Sequence, residues 1–410
     1  MNKNWIEEPI GKLVDFKKGK ISEQVDFNKD NFLPLINTEA VGGNTLTWAN
    51  PIGSITCKED DILMLWDGER SGLVALGFNG VVGSTFSKLT VKGEINNEYL
   101  YHYLDSKFPW IQNQRTGTGV PHVPKDLYKI FKIKYPNNIE IQKKIAEIFD
   151  TIDKVIRITE VSINKYKIIK KGIVQDLFSK GIDIKTRLLR PKYKDAPELY
   201  KESILGMIPV EWEIENFENV TLKITDRDHF TPTYYDDGIP IISPKDFDKN
   251  EKIRFEKCKY ISLKAHLKNR KKTDLKNGDL VFTRIGAGLG KVCLVEPWMP
   301  EFSILHSASM IRVNEDKILP AFLMEYIKSN HLQKQIKIEV QSIGVPDLGL
   351  DKIKSFKVFK PSLKEQKLMS DKLTSINKLI EQELKNLEKH QNIKKGLMQD
   401  LLNGKVEVKA

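Results

Sequence analysis

Apolar residues recur at helical spacing along two long stretches of the chain. In the first, Ile141, Ile145, Ile148, Ile152 and Val155 follow steps of four and three, and Tyr166, Ile169, Ile173 and Leu177 resume the pattern after the polar interruptions Thr159 and Ser162. In the second, Met369, Leu373, Ile376, Ile380, Leu384 and Leu387 do the same, and Ile393, Leu397 and Leu401 continue it. Stripes this narrow predict helices whose seams are buried against a similar partner. Asn137 before Glu140 and Ser362 before Glu365 predict capping-box starts, and Gly181 and Gly404 stand where a left-handed residue closes a helix. Each helix is expected to run about 41 residues, or roughly 60 Å. The favoured arrangement is an antiparallel pair in which Ile145, Ile152, Ile169, Ile173 and Leu177 share a seam with Leu373, Ile380, Leu387, Leu397 and Leu401. The alternative packs each helix on its own domain.

The two stretches belong to an internal repeat. Lys170-Lys171-Gly172-Ile173-Val174-Gln175-Asp176-Leu177 returns 224 residues later as Lys394-Lys395-Gly396-Leu397-Met398-Gln399-Asp400-Leu401. Gly119-Val120-Pro121 and Pro136 return as Gly344-Val345-Pro346 and Pro361, and Gln142 returns as Gln366. Further upstream, Asp61-Ile62-Leu63-Met64 resembles Asp279-Leu280-Val281-Phe282, and Trp5 and Trp212 open the two copies. By contrast, residues 38–59 and 247–277 show no correspondence. Two like scaffolds with unlike loops suggest related tasks with different specificities.

Between the helices, short alternating strands such as Asp61–Trp66, Leu73–Gly77, Leu280–Arg284 and Val292–Val295 mix with short helices at Tyr99–Leu104 and Ala321–Ile327. The expected fold class is α+β: two globular domains joined by two long antiparallel coiled-coil helices with a pseudo-twofold repeat. The expected partition is domain 1–136, helix 137–180, linker 181–208, domain 209–361, helix 362–403 and tail 404–410. Residues 185–194 are basic and unpatterned, as a solvated surface linker would be.

Charge and chemistry narrow the function. The chain carries 66 Lys+Arg against 55 Asp+Glu, a net charge of +11, so a polyanion is a natural partner. Three isolated cysteines argue against disulfides or a structural metal site. The first residues lack an apolar leader, and no apolar run is long enough to span a membrane; a cytoplasmic protein is expected. No catalytic or metal site is evident: Gly286–Lys291 fits neither a dinucleotide fingerprint nor a phosphate loop and reads as a turn. Loop cations remain, in Lys17-Lys18-Gly19-Lys20, in residues 115–119 and in residues 264–272. Lysines of this kind neutralise phosphates, whereas Arg, Asn and Gln read base edges. Arg70, Arg115, Lys264, Arg270 and Arg284 are the candidate DNA contacts, with surface solubility as their competing role.

Taken in order, these residues resemble the specificity subunit of type I restriction–modification systems over nearly the whole chain. Its hallmarks here are residues 119–121, Pro136 and Gln142, residues 344–346, Pro361 and Glu365-Gln366, Gly206-Met207-Ile208-Pro209 with Trp212-Glu213, and the strand-turn segments 61–68 and 278–286. The first copy carries one residue more before its glutamine. The resemblance implies a non-catalytic subunit that reads a bipartite target in double-stranded DNA, one half-site per domain, with the helix pair setting the spacer. It implies two methyltransferase subunits supplying S-adenosylmethionine-dependent adenine methylation and two restriction subunits using ATP and Mg, with no cofactor on this chain. A recognition subunit for an enzyme with fused cleavage and methylation, a coiled-coil scaffold that never touches DNA, and a lone nuclease are the competing readings.

Overall fold

A computed structural model describes residues 4–44, 47–117, 119–248, 250–286, 288–340 and 346–409. The chain forms two compact units, Met1–Ser162 with Leu384–Ala410, and Ile163–Glu383. The long helices Ile139–Lys180 and Leu363–Leu401, of 42 and 39 residues, each cross a unit boundary. Each unit therefore contains one α+β domain plus part of both helices.

The same scaffold is built twice. A four-stranded antiparallel sheet in the first unit orders Val14–Lys18, Phe86–Val91, Ile62–Leu65 and Val74–Ala75; in the second unit Thr221–Thr225, Ala308–Val313, Leu280–Thr283 and Val292–Leu294 take the same places. The central strands Ile62–Leu65 and Leu280–Thr283 are buried at every position, which is why they read as continuous apolar runs. A two-stranded ladder feeds each long helix, Trp5–Pro9 with Lys132–Pro136 and Glu213–Asn216 with Lys357–Lys360. The second sheets differ. The first unit has five short strands, from Gln24–Val25 to Gly80–Val82, whereas the second has Lys259–Ile261, Ile239–Ile242 and Ser303–Ile304 followed in space by the helix Leu263–Arg270. Apart from the strand Gln24–Val25, these differences fall on the segments that show no sequence correspondence.

Two glutamines explain the hallmark at each helix start. Gln142 is fully buried; its oxygen accepts the Asn96 amide and its nitrogen donates to the carbonyls of Glu94 and Pro136. Gln366 repeats this with Leu319, Lys317 and Pro361. Both are the fourth residue of their helix, so the extra residue of the first copy lies in the turn Asn137-Asn138. Asn138, not Asn137, caps that helix through the Glu140 amide. Ser362 caps the second as expected, but the Glu365 side chain is diverted. Its buried carboxylate accepts the Ile182 amide, both Arg190 nitrogens and the Trp212 indole N–H. Arg190 also meets Glu211 at 2.6 Å. Residues 185–194 are exposed apart from Arg190, as a surface linker would be, while the buried Ile182 and Arg190 anchor the segment.

Within each unit the helix halves run antiparallel. In the first, Ile145, Ile152, Leu397 and Leu401 join one core with Phe149; in the second, Ile173, Leu177 and Leu373 join another with Phe178 and Met369. Ile380 is buried and Leu387 partly so. Ile169 is a correction: it is 40% exposed. The inward stripe passes through Thr159 and Ile163, and at about 100° per residue a position six further on points away; Tyr166 and Lys170 continue the inner face instead. Ile393 is likewise exposed, and Lys394 turns inward to Asp105 at 3.2 Å and Asp153 at 2.8 Å. Each closing glycine meets the tryptophan of its unit: a Cβ on Gly181 would strike Trp212, and one on Gly404 would strike Trp5. Both have positive φ, which glycine alone adopts without strain.

All three cysteines are buried, and burial pushes Cys258 up to about 12 and Cys293 up to about 11. Only thiolates react readily, so a thiol reagent at pH 8 is expected to label none of them within minutes under native conditions and all three in denaturant. A fast native equivalent would contradict the packing. No helix among the described residues is long and apolar enough to cross a membrane.

Candidate nucleic-acid interface

The strand-turn signature and the Gly-Val-Pro signature, far apart in sequence, form one junction in each unit. After Ile62–Leu65, the amides of Trp66 and Asp67 donate to the Thr85 carbonyl, Val123 donates to Trp66, and Gly68 donates to Pro121 at 2.8 Å. After Leu280–Thr283, Arg284 and Ile285 donate to Ser307, Leu348 donates to Arg284, and Gly286 donates to Pro346 at 2.9 Å. Gly68 and Gly286 both have positive φ, 111° and 89°, which turns the amide toward the proline. Thr118, Ala287, Gly344 and Val345 lie outside the described residues; residues 288–290 form the expected turn, with Leu289 donating to Gly286.

The backbone is the same but the charged side chains differ in sign and in position: Trp66 and Asp67 stand where the second unit has Arg284 and Ile285. In the first unit the central group is an anion: Asp67 meets Lys18 at 2.7 Å and the His122 ring at 2.7 Å. Burial opposes its ionisation, yet the hydrogen bonds and charges of Lys18 and His122 hold its carboxyl below the ordinary range. In the second unit the central group is a cation: Arg284 donates to Asp226, Asp347 and the Leu348 carbonyl. Lys18 ends its strand and Asp226 follows the equivalent strand; His122 and Asp347 each follow the junction proline. The His229 and His306 rings lie beside this second cluster, 4.9 Å apart.

The five arginines and lysines expected to contact DNA differ in exposure and engagement. Arg284 is 4% exposed and fully engaged, so it organises the junction instead of projecting from it. Arg115 is half-buried and donates to the Glu69 and Gln112 carbonyls, bracing the Gly68 loop. Arg70 and Lys264 are exposed, and Arg270 is exposed but paired with Glu301 at 2.8 Å. Lys17 and Lys20, from the first cation cluster, flank Lys18 on the surface. In the second unit Lys272 pairs with Asp228, and Lys268 and Arg227 both lie over the Phe230 ring, beside Asp226 and His229. Lys18 belongs to the first loop-cation cluster, whereas Asp67, His122, Asp226 and Asp347 escape a sequence reading of site residues; the available signal is that Asp67 lies inside one hallmark and His122 and Asp347 directly follow the other. Among the described residues no group of three or more His, Cys, Asp or Glu is placed to hold a metal ion.

A family model described as type I restriction modification DNA specificity domain matches residues 2–167 and again residues 209–389. The MjaVIII type I restriction enzyme specificity subunit of Methanocaldococcus jannaschii is 29% identical, the match covering 99% of this chain and 94% of that one. The EcoBI specificity subunit of Escherichia coli is 22% identical over 88% of this chain and 77% of its own length. The crystal structure of the S subunit of a type I restriction–modification system from M. genitalium superimposes with a TM-score of 0.63 at 18% identity, covering 98% of this chain and 96% of that one, which shows the same fold. With the repeat matched twice and the scaffold built twice, the chain belongs to the type I restriction–modification specificity subunits.

Proposed function

We propose that this chain reads a split DNA target, one half-site per unit, with the unread spacer set by the lengths of the two long helices, and that it works in the cytoplasm without catalysing a step itself. The observation that carries this reading is the junction made twice on one backbone plan with different side chains, as two readers of unlike sequence require. The net charge of +11 and the lysines flanking each junction suit a phosphate backbone. A scaffold that never meets DNA would need neither.

We further propose two copies of a methyltransferase partner, which brings S-adenosylmethionine for adenine methylation, and restriction partners that bring ATP and Mg. The support is a repeated surface on the helices. Ile169 and Ile393 are 40% and 41% exposed, and three residues on stand Gly172 and Gly396, whose Cβ directions are open. A glycine inside a helix costs about 1 kcal/mol relative to alanine, and among the described residues no atom crowds the Cβ position of either one. The same surface presented twice suits two copies of one close-packing partner.

Genome-wide mapping of methylated adenine tests the reading. Cells with the assembled complex are expected to show a bipartite motif. Inserting seven residues after Ser162 and seven after Glu383 adds about 10 Å to each helix. At ~3.4 Å per base pair the spacer is expected to grow by roughly 3 base pairs. An unchanged spacer would overturn the ruler.

A further inference from the structure

The junction polarity points to what each unit reads. Trp66 and Asp67 in one unit and Arg284 and Ile285 in the other support the same four backbone hydrogen bonds, so the fold does not dictate which charges stand there. In each unit the central charge is the more buried group: side-chain exposure is 17% for Asp67 and 5% for Arg284. Lys18, His122 and Asp347 project, at 50%, 46% and 52%, whereas Asp226 stays at 14% beside Arg284. A carboxylate facing a polyanion is repelled unless its acceptors are used, and Arg284 behind Asp347 offsets part of that repulsion. In the major groove, amino groups of cytosine and adenine are the donors that a carboxylate reads, while guanine O6 and purine N7 are acceptors.

We propose that the outer junction side chains contact base edges: Lys18 and His122 donate to an acceptor edge in one half-site, and Asp347 accepts from an exocyclic amino group in the other. This rests on the DNA-reading function proposed above. The flanking lysines 17, 20, 268 and 272 would then meet phosphates, which position without specifying.

The test maps methylation motifs with the assembled complex of the full chain carrying Asp347→Ala, Asp347→Asn, or Lys18→Met with His122→Ala. Asp347→Ala is expected to relax one base pair of one half-site by roughly tenfold to a hundredfold, leaving the other half-site intact. The Lys18 and His122 changes are expected to relax the other half-site only. Asp347→Asn keeps the shape and one acceptor for Arg284, so it decides the matter if the alanine variant fails to fold. It is expected to change the preferred base at the same position. A uniform loss of affinity across sequences in the Lys18 and His122 variant, with the salt slope reduced by about 1, assigns those groups to phosphates and overturns the proposal. Unchanged motifs in every variant overturn it as well, while a bipartite motif for the unaltered protein keeps the broader function standing. If the unaltered complex gives no bipartite motif, the broader reading itself fails.

Discussion

Replacing Glu365 by alanine is expected to destabilise the second unit by about 3–5 kcal/mol, the range for removing one partner of a buried ion pair. The carboxylate is 1% exposed and collects the Ile182 amide, the Arg190 guanidinium and the Trp212 indole. Without it, Arg190 retains Glu211 and the Lys180 carbonyl but loses its buried counter-charge. At about 2–4 °C per kcal/mol for a unit of this size, a melting midpoint lower by roughly 10 °C is expected. Glu365→Gln keeps an acceptor and should fall between the two. A loss under 1 kcal/mol in the alanine variant would mean that the cluster is dispensable. The first unit has Ile141 at the equivalent helical position, third from the helix start, so it has no matching ion pair to lose.

The buried glutamines should behave as a matched pair. Gln142→Ala strands the Asn96 amide and the Glu94 and Pro136 carbonyls; Gln366→Ala strands the Leu319 amide and the Lys317 and Pro361 carbonyls. Leaving a buried polar group unsatisfied costs about 1–3 kcal/mol, so each variant is expected to lose about 3 kcal/mol or more in its own unit, measured by urea denaturation. The two losses should agree within about 1 kcal/mol. Glutamate at either position removes the donor and keeps the acceptor, so it separates the two contributions. A silent variant in one unit would show that the sequence repeat is not matched by an energetic one.

The helices were legible because a 3.6-residue period declares itself locally, and the repeat because Lys170–Leu177 and Lys394–Leu401 preserve it residue for residue over most of their length. Ile169 departs from the expected seam because the buried face runs through Thr159 and Ile163 rather than skipping the polar positions. The junction was not legible as a site. Asp67 finds His122 across 55 positions, and Arg284 finds Asp347 across 63; no local pattern encodes such pairings. Arg284 is a candidate DNA contact by residue type alone, and Asp226 and Asp347 draw it inward.

The division of the chain has a consequence for biogenesis. The second unit is one continuous segment, Ile163–Glu383, whereas the first needs Leu384–Ala410 to complete it. Lys134 donates to the Asn403 carbonyl, a contact spanning 269 positions, and Leu401 and Leu402 share a core with Ile145 and Phe149. On the ribosome, the portion made first must therefore wait with an unsealed core while the portion made later closes around itself. Such delayed closure exposes apolar surface to aggregation, which places the vulnerable interval of synthesis before the final helix emerges.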